Sequence, residues 1–149
     1  MVQINARDWI FEVSEDPAEA VPVWAAVGGV ESFDLNPSEG EESTETTVFA
    51  SQGVAESQAM QRGASLQLSG KIVRTGSVQD AGQAAADALA GLVGEASLGG
   101  LRFRYSEDTD WTVWTAWVSK ANLGGGNNDK TSWGATFTKS GPASVVAVA

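Results

Sequence analysis

Apolar and polar side chains alternate along most of this chain, the two-residue period of strands that bury one face. Trp9–Val13 sets Trp9, Phe11 and Val13 against Ile10 and Glu12. Val21–Val27 alternates its valines and Ala25 with Trp24, until Gly28-Gly29 bends or breaks the run. Val30–Leu35 continues extended, with Phe33 and Leu35 opposite Ser32 and Asp34. Thr44–Ala50 is β-branched, and Ala64–Val73 puts Leu66, Leu68 and Ile72 inward against Gln67, Ser69 and Lys71. Leu98–Tyr105, Trp111–Ser119 and Thr131–Thr138 complete a set of about eight short strands.

One stretch breaks the period. Asp80–Gly94 reads as a helix, with Asp80 as N-cap and Gln83 placed to return a bond to the Asp80 backbone. Ala81, Ala85, Ala88, Leu89 and Leu92 form a narrow apolar stripe, and Gly94 marks the stop. Alanine has high helix propensity but buries little area, so this helix must lie on something larger. The expectation is a single mainly β domain over 1–149, a two-sheet β-sandwich or barrel with one flanking α-helix over about Asp80–Val93.

Between the strands, Ser14–Ala20 with Pro17 reads as a turn, and 36–47 as a long acidic loop. Gln52–Arg62 fits either a bulged strand pair or a short helical turn. Leu123–Lys130 is a glycine-rich loop, Gly141-Pro142 ends the last strand, and Ala143–Ala149 is an apolar tail. No internal repeat is present.

Composition narrows the chemistry. The 149 residues contain neither cysteine nor histidine, which removes disulfides, Ser-His-Asp triads, Cys-His pairs and the usual histidine-ligated metal sites. No apolar run approaches the ~18 residues of a membrane span, and no secretory h-region is visible. The expectation is a chain that works where it is made or where it assembles. The net charge of −10 is uneven. Residues 1–56 hold twelve acids against Arg7 alone, a charge of −11, while 57–149 hold seven acids and eight bases, a charge of +1. That balance opposes sequence-specific nucleic-acid reading and permits end-to-end attraction between copies.

Glu107, Asp108 and Asp110 are candidates for acid–base work or a calcium loop, but they sit in a turn without an apolar wall or EF-hand spacing. The GGGNN of 124–128 precedes a strand and lacks the Gly-Lys-Ser/Thr of a phosphate loop, so it reads better as a loop where another chain approaches. Trp111 and Trp117 share one strand face and Trp114 the other. Burial on both faces calls for core on one side and a helix or a neighbouring subunit on the other; the rival is a sugar-stacking platform, as in carbohydrate-binding modules. No catalytic constellation, cofactor site or metal site is expected.

Several stretches together resemble the major tail tube proteins of siphophages, particularly those infecting actinobacteria. They are VGGVESFDLNPSEGEESTETTVFASQG, MQRGASLQLSG, DAGQAA, LRFRY and GGGNNDKTSWGATFTKSGP, spread over nearly the whole chain. The resemblance implies a ring-forming tail-tube fold, shared with type VI secretion tube proteins. Six copies would close a ring, their inner sheets would join into one barrel, and rings would stack into the hollow tube of a long non-contractile tail. It also implies an inter-ring loop at 36–47 carrying Glu39, Glu41, Glu42 and Glu45, and no C-terminal immunoglobulin-like domain. Lumen-facing acids would be Glu12, Glu31 and Asp34, and a subunit interface would include Asn127, Asn128, Asp129, Lys130 and Trp133. A carboxylate wall repels phosphates, so double-stranded DNA would pass without sequence-specific binding. The implied partners are further copies, a tape measure protein, a tail terminator and distal tail or baseplate proteins, with no membrane. The implied location is the virion tail, after assembly in the host cytoplasm.

Overall fold

In a computed structural model that describes residues 2–16 and 21–148, the chain is mainly β with one helix. The strands are β1 Trp9–Ser14, β2 Ala25–Ala26, β3 Val30–Asn36, β4 Glu42–Glu45, β5 Ser57–Gln61, β6 Ser65–Lys71, β7 Arg74–Thr75 and β8 Val78–Gln79. The helix α1 Ala81–Ala90 follows, then β9 Gly99–Tyr105, β10 Asp110–Lys120, β11 Ser132–Lys139 and β12 Ser144–Ala147. One antiparallel sheet runs in the order β2-β1-β9-β10-β11-β6-β3, with β12 also on β10. Hairpins β4-β5 and β7-β8 stand outside it.

The long strand β10 is where this sheet folds into two layers. Its first half pairs with β12 and its second half with β11 on the same edge, while β9 runs along the other. The sheet then curls until strands far apart in its order meet. Phe33 of β3 lies 5.5 Å from the Trp9 ring and 5.1 Å from the Phe11 ring of β1. Phe103 and Trp114 meet edge-on at 5.1 Å. Around these rings pack Val13, Leu66, Leu68, Leu101, Ala135 and Phe137, all buried. Aromatic edges and faces meet aliphatic side chains throughout this core.

Helix α1 closes one flank, touching β10, β1 and β2. Its inward side is Gly82, Gln83, Ala85, Ala86 and Leu89, rotated from the expected stripe, so that Ala81, Ala88 and Leu92 face outward. The rotation follows from Gly82, where an added Cβ would lie 2.3 Å from the Ala26 carbonyl oxygen. Only hydrogen fits between helix and β2 there. Asp80 caps the helix as expected, accepting from the Gln83 backbone N–H at 3.2 Å. Gln83 does not return the bond; its side chain turns into the interior. The helix ends at Ala90 with Gly91 at its C-cap, short of Val93, and Gly94 instead opens a 3-10 turn with φ of +69°.

Three further segments depart from the alternation. Val21–Val27 contracts to the two residues of β2, with Val21 and Val23 exposed. Pro22 has no N–H to donate to a ladder there. The acidic stretch after Asn36 is no open loop: β4 pairs with β5 in a hairpin whose strand residues are all exposed. The apolar tail supplies β12. The turn expected around Pro17 lies outside the described residues.

Candidate self-assembly surfaces

The β4-β5 hairpin, spanning 37–63, is an arm. It leaves the body from β3 and returns into β6, and the strands keep contact with each other rather than with the sheet. Its base is tied by Asn36 Nδ2 donating to Glu39 Oε2 at 2.9 Å, by Gln61 Nε2 donating to the Gly40 carbonyl at 2.6 Å, and by the Arg62–Glu41 ion pair at 3.2 Å. Glu42 and Glu45 lie on β4 and are exposed. All four carboxylates expected at an inter-ring element thus sit on one projecting structure.

The three expected lumen acids separate. Asp34 is exposed on the outer face of the layer formed by β3, β6, β11 and the end of β10. Cross-strand neighbours share a face, and the rows here read Asp34, Gln67, Thr136, Ser119 and Asn36, Ser65, Thr138, Trp117. Apart from the part-exposed Trp117 these rows are polar, with Asp34 as their charge, and farther along β6 the same face carries Lys71. Glu31 lies at the start of β3 with Lys71 at 3.4 Å. Glu12 points from the other layer and is only 17% exposed in an ion pair with Arg102, whose Nε donates to it at 2.7 Å. Its charge is neutralised, which removes it from any repelling wall.

The Glu12–Arg102 pair belongs to a ladder that the spacing of aromatic residues does not announce. The Arg102 guanidinium lies 4.6 Å from the Trp24 ring centre and 4.3 Å from that of Trp111, and Arg104 lies 4.9 Å from Trp111. Trp111 is thereby buried outside the main core, Trp114 is buried within it, and Trp117 is left 44% exposed. Three tryptophans in one strand therefore form no common stacking surface. Replacing Arg102 with alanine strips Trp111 of its cover and leaves Glu12 unpaired. The expected loss is about 2–4 kcal/mol in chemical denaturation, larger than for Glu12→Gln. Equal, small losses for both variants would show that the ladder contributes nothing.

Arg104 also organises the acidic turn, its Nη1 donating to the Ser106 and Asp108 carbonyls at 2.7 and 3.1 Å. Beside this turn the hydroxyl of Tyr105 is held above its ordinary value of 10, by burial first and then by the carboxylates of Glu107, Asp8 and Asp108. Tyr105 is the chain's single tyrosine, so a phenolate absorbance titration is expected to show its step above that value. A step at or below it would contradict this environment. Among the described residues no cluster of three acids could hold a metal ion, and no helix is long and apolar enough to cross a membrane.

In the loop between β10 and β11, Asn127, Asn128, Asp129 and Lys130 are exposed, with Asp129 accepting from the Gly126 N–H at 2.9 Å. Trp133 does not join them. It is 2% exposed, and its Nε1 donates to Asp87 at 3.1 Å. As the second residue of β11 it faces inward, so Trp133 belongs to the chain's own core instead of a subunit interface. Asp87 in turn accepts from Gln79 and lies 3.4 Å from Lys120, tying α1 to the β7-β8 hairpin and to the layer of β11 and the end of β10. Asp87, the interior role of Gln83 and the tryptophan cover of Arg102 are what the sequence does not announce; their partners are far along the chain. Among the described residues, the strand edges of β2, β3 and β12 carry no further strand in the sheet order.

This arrangement is found elsewhere. One similar chain comes from a structure described as the virion of a native gene transfer agent particle, with a TM-score of 0.73 and 15% identity over 97% of this chain and 100% of that one. Another comes from the tail of an empty gene transfer agent particle refined helically with C6 symmetry, with a TM-score of 0.74 and 16% identity over 97% and 100%. No family model and no curated protein matches the sequence. The likeness establishes the fold: a mainly β chain with one large antiparallel sheet, small accessory hairpins and a single flanking helix.

Proposed function

We propose that this protein is a structural tail tube subunit. Six copies close a ring, rings stack head to tail, and the stack forms the hollow tube of a long, non-contractile phage-type tail in the virion. The observation that carries the reading is the end-to-end agreement of fold with a chain from a tail of six-fold symmetry. Two features of this chain support it. Open strand edges invite pairing with further copies, and a closed ring satisfies them. The projecting arm gives each copy a contact beyond its own plane, the heterologous geometry that propagates into a filament.

The channel wall is assigned to the polar face of β3, β6, β11 and β10, with Asp34 as its exposed carboxylate. Along these rows hydroxyl and amide side chains offer DNA phosphates no cation, the Lys71 ammonium farther along β6 is paired with Glu31 at 3.4 Å, and the Asp34 carboxylate repels phosphates, so double-stranded DNA slides through without adhesive binding. Residues 127–130 are assigned to contacts between subunits. A tape measure protein within the bore, a terminator at one end and distal tail or baseplate proteins at the other complete the expected partners, with assembly in the host cytoplasm. No catalytic step is proposed.

Electron microscopy of the concentrated protein is expected to show six-fold rings or tubes. A species that stays monomeric at high concentration would overturn the proposal. Raising salt from low to molar concentration is expected to shorten the tubes, because exposed charges are screened beyond ~3 Å at 1 M. Tube length independent of salt would remove the electrostatic contribution to stacking.

A further inference from the structure

The arm is acidic along its strands and apolar at its tip. Phe49 is 103% exposed, Val48 61% and Val54 67%. The turn that carries them is pinned. The Val48 N–H donates to Ser51 Oγ at 3.2 Å, Ser51 Oγ donates to Glu56 at 2.9 Å, and the Glu56 N–H donates to Thr47 Oγ1 at 2.9 Å. An aromatic ring fixed in water on an ordered turn loses little freedom on binding, which suits an anchor more than a solvated loop.

Two apolar clefts on the body have room for a phenyl ring, and charge distinguishes them. One, of about 460 Å³, lies beside the helix among Val13, Val23, Ala25, Ala81 and Ala84, and is bordered by Glu15. The other, of about 380 Å³, opens between β1 and β3 among Trp9, Phe11, Val27, Val30 and Phe33, with Arg7 at its rim. Glu31 also borders it, but Lys71 stands 3.4 Å from that carboxylate. The arm holds five carboxylates, from Glu39 to Glu56, against Arg62 alone. Like charge disfavours its entry at the first cleft, and Arg7 favours it at the second.

We infer that Phe49 of one copy seats in the cleft between β1 and β3 of a second copy, with the arm's carboxylates facing Arg7. The inference rests on the tube reading and names the anchor and the receptor of its stacking contact. Because Phe49 packs against none of the described residues, Phe49→Ala leaves folding intact and is expected to weaken each arm's contact about 30-fold, an effect that multiplies around the ring, with rings retained. Circular dichroism checks the fold, and sedimentation reads the stacking.

The absence of native cysteine allows a direct test by oxidation of the assembled protein. Phe49→Cys combined with Ala6→Cys is expected to give a covalent ladder on a non-reducing gel, while Phe49→Cys combined with Ala84→Cys is expected to give at most a trace. If the unmodified chain forms tubes but the ladder runs through Ala84, or no ladder forms, the docking is overturned and the tube reading stands. If the unmodified chain forms neither rings nor tubes, the tube reading fails and the docking with it.

Discussion

Replacing Gln83 with leucine is expected to cost roughly 4 kcal/mol and to lower the melting temperature by about 10 °C, although the two side chains are close in size. Gln83 is fully buried. Its Oε1 accepts from the Val73 N–H at 3.1 Å, and its Nε2 donates to the Gly28 and Lys71 carbonyls at 2.8 Å each. Leucine would strand one donor and two acceptors, each costing about 1–3 kcal/mol when buried without a partner. Asp80 doubles the link by accepting from the Gly28 N–H at 3.0 Å while it caps the helix. Helix, β3 entrance and β6 exit are therefore joined at one polar knot. Gln83→Glu keeps the acceptor but turns a carboxylate toward two carbonyls, so it is expected to destabilise at neutral pH at least as much as leucine. Acid should partly restore it, since the protonated carboxyl can again donate to one carbonyl. Thermal and denaturant melts of the two variants at neutral and acid pH are the measurement. A loss below about 1 kcal/mol for leucine would mean that water or backbone shifts replace the knot.

That knot also marks the limit of what the sequence discloses. Asp80 as N-cap was legible because donor and acceptor are three residues apart. Gln83 looked like the other half of the same local exchange, yet its partners lie at positions 28, 71 and 73, and nothing local distinguishes a capping glutamine from a buried one. Strands with one wet and one dry face were legible for the same reason of period: β1, β6 and β9 each buried the side their alternation named. β4 and β5 bury neither side, so no period singled them out; Pro37, Gly40 and the acids made 36–47 read as a loop, and Gln52–Arg62 fitted a bulged strand pair or a helical turn equally well. Trp133 misled in the other direction. The resemblance placed it at a subunit interface, while pairing of β11 to β6 turned it inward opposite Gly70. Gly70 itself has no room for a side chain, since an added Cβ would lie 1.9 Å from the Gly29 carbonyl oxygen. Arg102 was visible as one of two charges on the far face of β9, but a charge that covers tryptophan cannot be told from one in water until the facing strand is known.

Deleting the arm, by joining Asn36 to Ala64 through a short Gly-Ser turn, is expected to separate assembly from folding. The residues removed form no part of the core, so melting should shift by only a few degrees. Stacking, in contrast, should all but vanish. In a ring with the six-fold symmetry of the similar tail, arms act together, and their free energies add across one ring-to-ring contact. Even roughly 1 kcal/mol per arm would total about 6 kcal/mol, about a 10⁴-fold change in the stacking constant. Single substitutions of Glu42 or Glu45 should accordingly be mild per chain yet visible in tube length, because each is repeated around the ring. Sedimentation and microscopy of the armless chain should find free rings at concentrations where the unmodified protein forms tubes. Tubes of ordinary length from the armless chain would remove the arm from the stacking mechanism and shift it to the faces of the rings themselves. Loss of rings along with tubes would instead place the arm at the contacts that close each ring.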